Sequence, residues 1–223
     1  MPSLDGVTVA VLGGTGPQGR GLVRRWAAAG IATVIGSRDA ERAAQIAAEL
    51  ADATGGDVRG LTNADAAVAG DVVVVAVPYD GHADLLRSLA ETLAGKIVVD
   101  CVNPIGFDKQ GGFPIRVPDG SAAQEAATLL PDSTVVAAFH HVSAVVLNDP
   151  EITSVDTDVL VLGEGEDRDA TDLVRALADA IPGVRGVYAG RLRNAHQVEA
   201  LTANLIAINR RYKAHAGLRV TDL

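Results

Sequence analysis

The chain has 223 residues, of which 48% are hydrophobic and 21% are charged, and its formal net charge is −9. This composition is typical of a folded globular protein, and the negative charge argues against a protein that binds nucleic acid or anionic membranes. A single cysteine excludes an intramolecular disulfide, and no apolar run reaches the roughly 18 residues that a membrane span requires.

The first recognisable unit is a strand, a glycine-rich turn, a helix and a second strand. An apolar run at 7–12 leads into the turn, where Gly14, Gly16 and Gly19 fit the pattern G-x-G-x-x-G, and the second strand is expected at 32–35. The first glycine permits the tight turn, the second lets the backbone approach a pyrophosphate, and the third lets the helix pack on the strand. The start of the helix then offers free N–H groups and the positive end of its dipole to phosphates.

The end of the second strand indicates which dinucleotide binds. An NAD site usually carries an acid there for the ribose 2′-hydroxyl, whereas this chain has Ser37 and Arg38, followed one helical turn later by Arg42. A hydroxyl and two guanidinium groups suit a 2′-phosphate, because arginine forms bidentate, charge-assisted bonds to phosphate. We therefore predict NADP(H) as the cofactor, with Asp39 capping the following helix. The alternative is that both arginines are ordinary surface charges.

Strand and helix patterns alternate through the rest of the chain. We expect helices at 39–50, 63–68, 81–93, 121–130, 168–180 and 194–216, and strands at 58–62, 72–77, 97–100, 134–138, 159–162 and 187–189. This alternation predicts an α/β fold with a doubly wound, Rossmann-type parallel sheet and a small C-terminal lobe of helix and strand. The Gly- and Pro-rich stretch at 102–120 is expected to be a long functional loop.

Ligands of an open α/β sheet bind beyond the carboxyl ends of its strands. Four such ends are recognisable, at 14–18, 37–38, 76–78 and 102–104, and a nicotinamide cofactor would run across them in roughly that order. A fifth end, at 139–144, would face the nicotinamide and the second substrate.

The sequence offers no dedicated catalytic acid, base or metal site. It contains no G-x-S-x-G, no H-E-x-x-H and no Y-x-x-x-K set. His140 and His141 would point in opposite directions in an extended segment, so they could not easily serve one metal. We expect Cys101 to be a buried structural thiol, and His82, His196 and His215 to lie on helix surfaces. A dehydrogenase of alcohols needs a proton relay, whereas hydride transfer between two bound cofactors relies on proximity and orientation.

Taken together, these segments resemble the F420-dependent NADP oxidoreductases. The resemblance covers nearly all of the chain and is carried by 11–19, 36–38 with Arg42, 77–79, 98–104, 140–144 and 192–199. It implies direct hydride transfer between C4 of NADPH and C5 of the deazaflavin coenzyme F420, and we expect the enzyme to supply reduced F420 from NADPH. The alanine- and arginine-rich composition resembles that of actinobacterial members.

The resemblance also implies a set of site residues. The pyrophosphate would lie at Gly14, Thr15, Gly16, Pro17, Gln18 and Gly19, the 2′-phosphate at Ser37, Arg38 and Arg42, the path from adenosine to ribose at Ala76, Val77 and Pro78, the nicotinamide near Asn103 and Pro104, and the deazaflavin beside His140, Val142, Ser143 and Ala144. The family often has Ile-Pro where this chain has Val142-Ser143. Candidates for the anionic F420 tail are Arg193, Arg210, Arg211 and Lys213.

The expected organisation is an NADP-binding domain at 1–140 and a smaller lobe at 141–223 that completes the F420 site. This lobe would also supply a homodimer interface through the apolar row Val198, Leu201, Leu205 and Ile208, and the absence of a visible signal peptide favours the cytoplasm.

Two alternatives stay open. One is an NADPH-dependent reductase of a small imine or keto substrate on the same fold, similar to pyrroline carboxylate reductase. That enzyme would need a larger helical C-terminal domain than the segment after residue 189 offers. The other is a regulatory protein that binds NADPH without turnover.

Overall fold

The computed structural model describes residues 2–164 and 168–223. Its strands are β1 Thr8–Leu12, β2 Ala32–Ser37, β3 Val58–Thr62, β4 Val72–Val75, β5 Ile97–Asp100, β6 Ile105–Asp108, β7 Gly111–Pro114, β8 Thr134–Ala137, β9 Thr157–Val161 and β10 Val184–Tyr188. Its helices are α1 Pro17–Ala28, α2 Ala40–Thr54, α3 Asn63–Ala69, α4 His82–Leu93, α5 Ala122–Leu129, α6 Ala144–Asn148, α7 Arg168–Asp179 and α8 Ala195–Tyr212. None of the helices among these residues is long and apolar enough to cross a membrane.

Six strands form one parallel sheet in the order β3-β2-β1-β4-β5-β8. This is the strand order of a doubly wound dinucleotide-binding fold, so the predicted fold class is confirmed. The four valines of β4 are all buried, as a strand covered by helices on both faces requires. Because the chain crosses over between β3 and β4, the carboxyl ends of β1 and β4 flank the point at which the strand order reverses.

A second, smaller sheet joins the edge of the first. β9 and β10 pair in parallel, and an antiparallel bridge between Ala137 and Leu162 links this pair to the end of β8. The chain after α8, which we call the C-terminal strap (214–223), crosses the start of β9. Asp158 donates its backbone N–H to Leu218 at 2.7 Å, and Arg185 donates to the carbonyl of Leu223 at 2.7 Å.

Three local features differ from the sequence-based expectation. The segment 102–120 contains the antiparallel hairpin β6–β7, because Asp108 accepts from the N–H groups of Gln110 and Gly111 and closes a tight turn. The short helix α6 follows the fifth strand end. Finally, α8 ends at Tyr212 instead of Ala216, because Lys213 has a left-handed backbone with φ 52°.

Helix α1 is hydrogen-bonded to residues that follow β8 in the chain. Its Arg25 donates to the carbonyls of Val146, Leu147, Asp149 and Ile152. Its neighbour Trp26 donates from the indole to the carbonyl of Leu177 and packs edge-on against Phe139, with the ring centroids 5.4 Å apart. The helix that follows the glycine turn is therefore fixed directly to the residues that follow β8.

Candidate functional site

The glycine turn after β1 is tightly built, and its glycines have different causes. A Cβ on Gly14 would lie 2.7 Å from the carbonyl oxygen of Val11, and a Cβ on Gly19 would lie 2.6 Å from the Cα of Gly14. Protein packing thus requires glycine at both positions. At Gly16 the backbone is extended and an added Cβ would meet only the carbonyl oxygen of Gly13, at 3.3 Å. The space beside Gly16 is open, which fits the close approach of a phosphate.

The start of α1 presents backbone donors to this space. Pro17 occupies the first turn, and no side chain caps the helix at Gly16. The first-turn N–H groups therefore lack an intrahelical partner and can bind an anion. The side-chain amide of Gln18 is used elsewhere, because it donates to the carbonyl of Phe139 at 3.1 Å. The backbone of Gln18 thus forms part of the glycine turn, while its side chain is hydrogen-bonded to the fifth strand end at Phe139.

The end of β2 carries two exposed arginines. Asp39 caps α2 as predicted, because its carboxylate accepts from the backbone N–H of Arg42 at 3.0 Å. The buried hydroxyl of Ser37 accepts from the N–H of Asp39. Within the described part of the chain, neither Arg38 nor Arg42 forms an ion pair. Both guanidinium groups are therefore available for an anionic ligand.

A set of hydrogen bonds joins the end of β5 to the residues after β8. The side-chain amide of Asn103 donates to the carbonyl of His140 at 2.8 Å. The hydroxyl of Thr202, on α8, lies 3.2 Å from both the Asn103 side-chain oxygen and the same carbonyl. The sequence analysis did not identify Thr202, because it lies 99 residues from Asn103 and no local pattern marks it. Three parts of the chain therefore meet at Asn103.

The fifth strand end turns sharply at Phe139. Its φ is 63°, in the left-handed region that bulky residues rarely adopt. This turn directs the phenyl ring into the core and places His140 after it, with both residues at most 4% exposed. Residues held in such conformations concentrate at functional sites, where the surrounding structure imposes them.

His140 is buried with both ring nitrogens lacking a hydrogen-bond partner among the described atoms. Burial lowers the pKa of His140 to about 4, so the imidazole is neutral at physiological pH. Next to it, His141 places Nε2 2.7 Å from the carbonyl oxygen of Asp158, and burial also lowers its pKa. The His141 ring thus has a backbone partner, whereas the His140 ring has none among the described atoms. Unpartnered buried polar groups are costly, so the two nitrogens of His140 lower the stability of this segment.

The segment from Val142 to Ala144 leads into α6. Val142 is buried, whereas Ser143 and Ala144 are partly exposed. Val142 and Ser143, together with Ser154, Thr157 and the C-terminal strap, line a cavity of about 180 Å³. Residues 139–144, which we call the wall after β8, are therefore partly apolar and border a cavity that reaches the C-terminal strap.

His82 corrects a sequence-based expectation. It is completely buried, not on a helix surface, because its ring lies between two carboxylates. Nε2 is 2.6 Å from Asp100 and Nδ1 is 3.0 Å from Glu125. Burial by itself lowers the pKa of His82, but the hydrogen bonds to Asp100 and Glu125 outweigh it and raise the pKa to about 9. The imidazole is therefore charged at neutral pH and donates to both carboxylates. His196 is exposed on α8, as predicted, whereas His215 is exposed but lies in the C-terminal strap, beyond the end of the helix.

A second buried acid lies nearby on α8. Glu199 is 2% exposed and accepts from the backbone N–H groups of Ala122 and Ala123, at the start of α5. Burial raises the pKa of Glu199 to about 7, although these two hydrogen bonds act in the opposite direction. Cys101 is buried as expected, and burial raises its pKa well above the usual range, so it stays a thiol.

Two further expectations concern metals and the basic residues. No group of three or more potential metal ligands occurs within residues 2–164 and 168–223. Arg193 precedes α8, whereas Arg210, Arg211 and Lys213 lie at its other end. An 18-residue helix is about 27 Å long. The two groups of basic residues are therefore separated by about the length of this helix.

Comparison with known proteins places this geometry in context. The profile of a family described as "NADP oxidoreductase coenzyme F420-dependent" matches residues 8–104. The F420-dependent NADP reductase of Methanothermobacter marburgensis is 43% identical over 225 residues, which cover 96% of this chain and 98% of that protein.

Solved structures agree with the fold. A crystal structure from Arthrobacter sp. FB24, described provisionally as an F420-dependent NADP-reductase, superposes with a TM-score of 0.79 at 25% identity, over 97% of this chain and all of that one. An imine reductase of Bacillus cereus superposes with a TM-score of 0.65 at 18% identity, over 92% of this chain and 63% of that one. The second likeness concerns the fold alone.

Proposed function

The chain belongs to the family of coenzyme F420-dependent NADP oxidoreductases, and on this premise we propose how its residues transfer a hydride between NADPH and F420. The protein is an oxidoreductase that uses NADP(H) and F420 as substrates. Chemically, the reduced nicotinamide supplies a hydride from C4, and the deazaflavin accepts it at C5. The reductase of small imine or keto substrates has less support, because the imine reductase is similar only in fold.

One observation supports the placement of both substrates at the same edge of the sheet. Gln18, in the glycine turn, donates to the carbonyl of Phe139, and Asn103, after β5, donates to the carbonyl of His140. The nucleotide-binding strand ends are thus bonded directly to the wall proposed for the deazaflavin. Hydride transfer requires close, oriented reactants, and these two hydrogen bonds support a site that both substrates share.

The proposed roles divide into binding, orientation and exclusion of water. The N–H groups at the start of α1 bind the pyrophosphate, and Ser37, Arg38 and Arg42 bind the 2′-phosphate. Ala76, Val77 and Pro78 line the path to the ribose, and Asn103 and Pro104 border the nicotinamide. His140, Val142, Ser143 and Ala144 border the deazaflavin. Burial keeps His140 neutral, so it can hydrogen-bond a substrate without placing a positive charge beside the reacting carbon atoms.

The organisation of the molecule also stays a proposal. We place the NADP-binding domain at 1–140 and the lobe that completes the F420 site at 141–223, in a cytoplasmic homodimer. The apolar row expected to form the interface is only partly available, because Val198 and Leu205 are buried within the chain. Support for the dimer comes from the exposed end of α8, where Ile208 is 40% and Tyr212 is 73% exposed. Equilibrium sedimentation tests this state, and a monomer at micromolar concentration would contradict it.

The decisive experiment follows the visible absorbance of oxidised F420 with purified protein and either NADPH or NADH. Bleaching that requires NADPH, and that NADH supports far less, is the expected result. Binding of NADPH without bleaching would contradict the proposed reaction and favour the imine reductase or the regulatory protein. Reduced F420 with NADP tests the reverse direction.

A further inference from the structure

The buried His82 lies at the junction of three elements that surround the proposed nicotinamide site. It is the first residue of α4, and the short 3-10 turn Tyr79–Gly81 separates it from the strand end at 76–78. Through Nε2 it binds Asp100, the last residue of β5, and through Nδ1 it binds Glu125 in the first turn of α5. His82 and Asp100 are completely buried. Hydrogen bonds between charged groups in such surroundings are strong and directional.

These contacts belong to a closed ring in which hydrogen bonds alternate with short stretches of the chain. Asp100 also accepts from the backbone N–H of Val102 at 3.0 Å, which orients the turn that leads to Asn103. Asn103 binds the carbonyl of His140 and meets Thr202 of α8. One turn earlier on α8, Glu199 binds the start of α5, where Glu125 returns to His82.

We infer that His82 is a positioning residue for hydride transfer: by holding the starts of α4 and α5 to the end of β5, it sets the place of Asn103 and of the segment that Asn103 binds. This inference rests on the proposed function, because it assumes that the nicotinamide lies at Asn103. The adenosine half of NADPH would lie at the glycine turn and Arg38, outside the hydrogen-bonded ring that contains His82. Loss of His82 should therefore affect the rate of hydride transfer more than the binding of NADPH.

The charge of His82 gives this role a measurable signature. The groups that face it are Asp100 from β5, Glu125 from α5, Glu199 from α8 and the ring of Tyr79, whose centroid is 6.1 Å away. Hydrogen bonds to the first two raise the pKa of His82 to about 9. When the pH rises through this value, the imidazole keeps one N–H and can donate to only one carboxylate. The rate of hydride transfer should then fall on the alkaline side.

The test compares the wild-type enzyme with His82→Gln and with Asp84→Asn as the matched control. Asp84 lies two residues further along the same helix, and its side chain is 89% exposed. Single-turnover rates, KM for NADPH and the isotope effect with 4-deuterated NADPH are measured from pH 7 to 10, with circular dichroism to confirm folding. For His82→Gln we expect a rate about tenfold or more lower, a KM for NADPH within about threefold of wild type, and no alkaline decline. Asp84→Asn should match the wild type.

A second variant decides the outcome if His82→Gln fails to fold. Glu125→Gln removes one carboxylate at the edge of the cluster, where the Glu125 side chain is 17% exposed. The alkaline decline should then move to lower pH, because His82 loses a partner for its charged form. An unmoved decline would overturn the inference, and so would His82→Gln with the wild-type rate per folded molecule and the wild-type pH profile. If the wild-type enzyme transfers no hydride between NADPH and F420, both the proposed function and this inference fail. If the wild-type enzyme does transfer hydride and His82→Gln behaves in the same way, only the inference is refuted.

Discussion

At the scale of single residues, the glycine turn separates the requirements of the fold from those of the ligand. Gly14 and Gly19 have no room for a Cβ, whereas Gly16 has room and an extended backbone that any residue can adopt. Under the proposed function, glycine at that position lets a phosphate approach the backbone. The motif then contains two residues that packing requires and one that we assign to the ligand.

This difference predicts opposite results for two alanine variants. Gly16→Ala should lower the free energy of unfolding by less than about 1 kcal/mol, because Cβ meets a single atom, but it should raise the KM for NADPH at least about tenfold. Gly19→Ala should cost about 1–3 kcal/mol, since helix and strand must separate to admit Cβ. Urea denaturation and steady-state kinetics measure both quantities. Equal loss of stability in the two variants would contradict the distinction.

The unpaired arginines after β2 lead to a prediction about cofactor choice. Arg38→Ala should raise the KM for NADPH by about 10- to 100-fold and change that for NADH by less than about threefold, because only NADPH carries the 2′-phosphate. Arg59→Ala is the control, since Arg59 is exposed on the adjacent strand β3 but pairs with Val34, away from the strand end. A similar loss with both cofactors would refute the assignment of Arg38.

At the scale of elements, α1 is the connection between the glycine turn and the wall after β8. Arg25 is 9% exposed, and its guanidinium donates to four carbonyls that follow the start of α6. Arg25 gives these carbonyl groups the hydrogen bonds that water or a regular helix would otherwise provide. Removal of the guanidinium would leave them buried without donors, which is costly.

Arg25→Met therefore keeps much of the apolar side chain and removes the donors. We expect it to lower the free energy of unfolding by about 2–4 kcal/mol, measured by urea denaturation. The control is Arg20→Met on the same helix, because Arg20 forms an exposed ion pair with Glu49 that is worth less than about 1 kcal/mol. If the two variants lose the same stability, Arg25 does not hold the α6 segment as described.

The elements also illustrate which features a sequence reveals. The strands of the main sheet were predictable because buried parallel strands are continuous runs of β-branched residues, as at 72–75. The cap Asp39 was predictable because a cap bonds only three residues ahead. The burial of His82 was not, because its partners are 18 and 43 residues away and nothing local distinguishes it from an exposed helix residue. The roles of Thr202 and Arg25 depend on contacts even more distant along the chain.

At the scale of the whole molecule, the buried ionisable groups determine how stability depends on pH. The pKa of His82 is raised from 6.5 to about 9, so its contribution is complete below pH 6.5 and is lost as the pH rises through 9. The pKa of Glu199 is raised from 4.5 to about 7, so its burial weakens the fold as the pH rises across that interval. Asp158 has the opposite sign, because its hydrogen bonds to Arg185 lower its pKa, and its contribution is lost as the pH falls.

We therefore expect the free energy of unfolding to decrease between pH 6 and pH 10, by up to about 3 kcal/mol for the His82 cluster. Urea denaturation at pH 6, 8 and 10 measures this change. In His82→Gln the part of the decrease above pH 7 should disappear, whereas Glu199→Gln should remove the part below it. A wild-type stability that stays constant up to pH 10 would contradict the charged state of His82.

The attachment of α1 to the rest of the chain also has a consequence for synthesis on the ribosome. Arg25 and Trp26 find their hydrogen-bond partners 121 to 151 residues later in the sequence. At a translation rate of about 5–20 residues per second, the nascent chain waits on the order of 6–30 s for those partners to be made. During this time β1, β2 and β3 can pair, but an indole and a guanidinium that are buried in the finished protein stay uncovered. The newly made N-terminal half is therefore the form of this protein that is most in need of a chaperone.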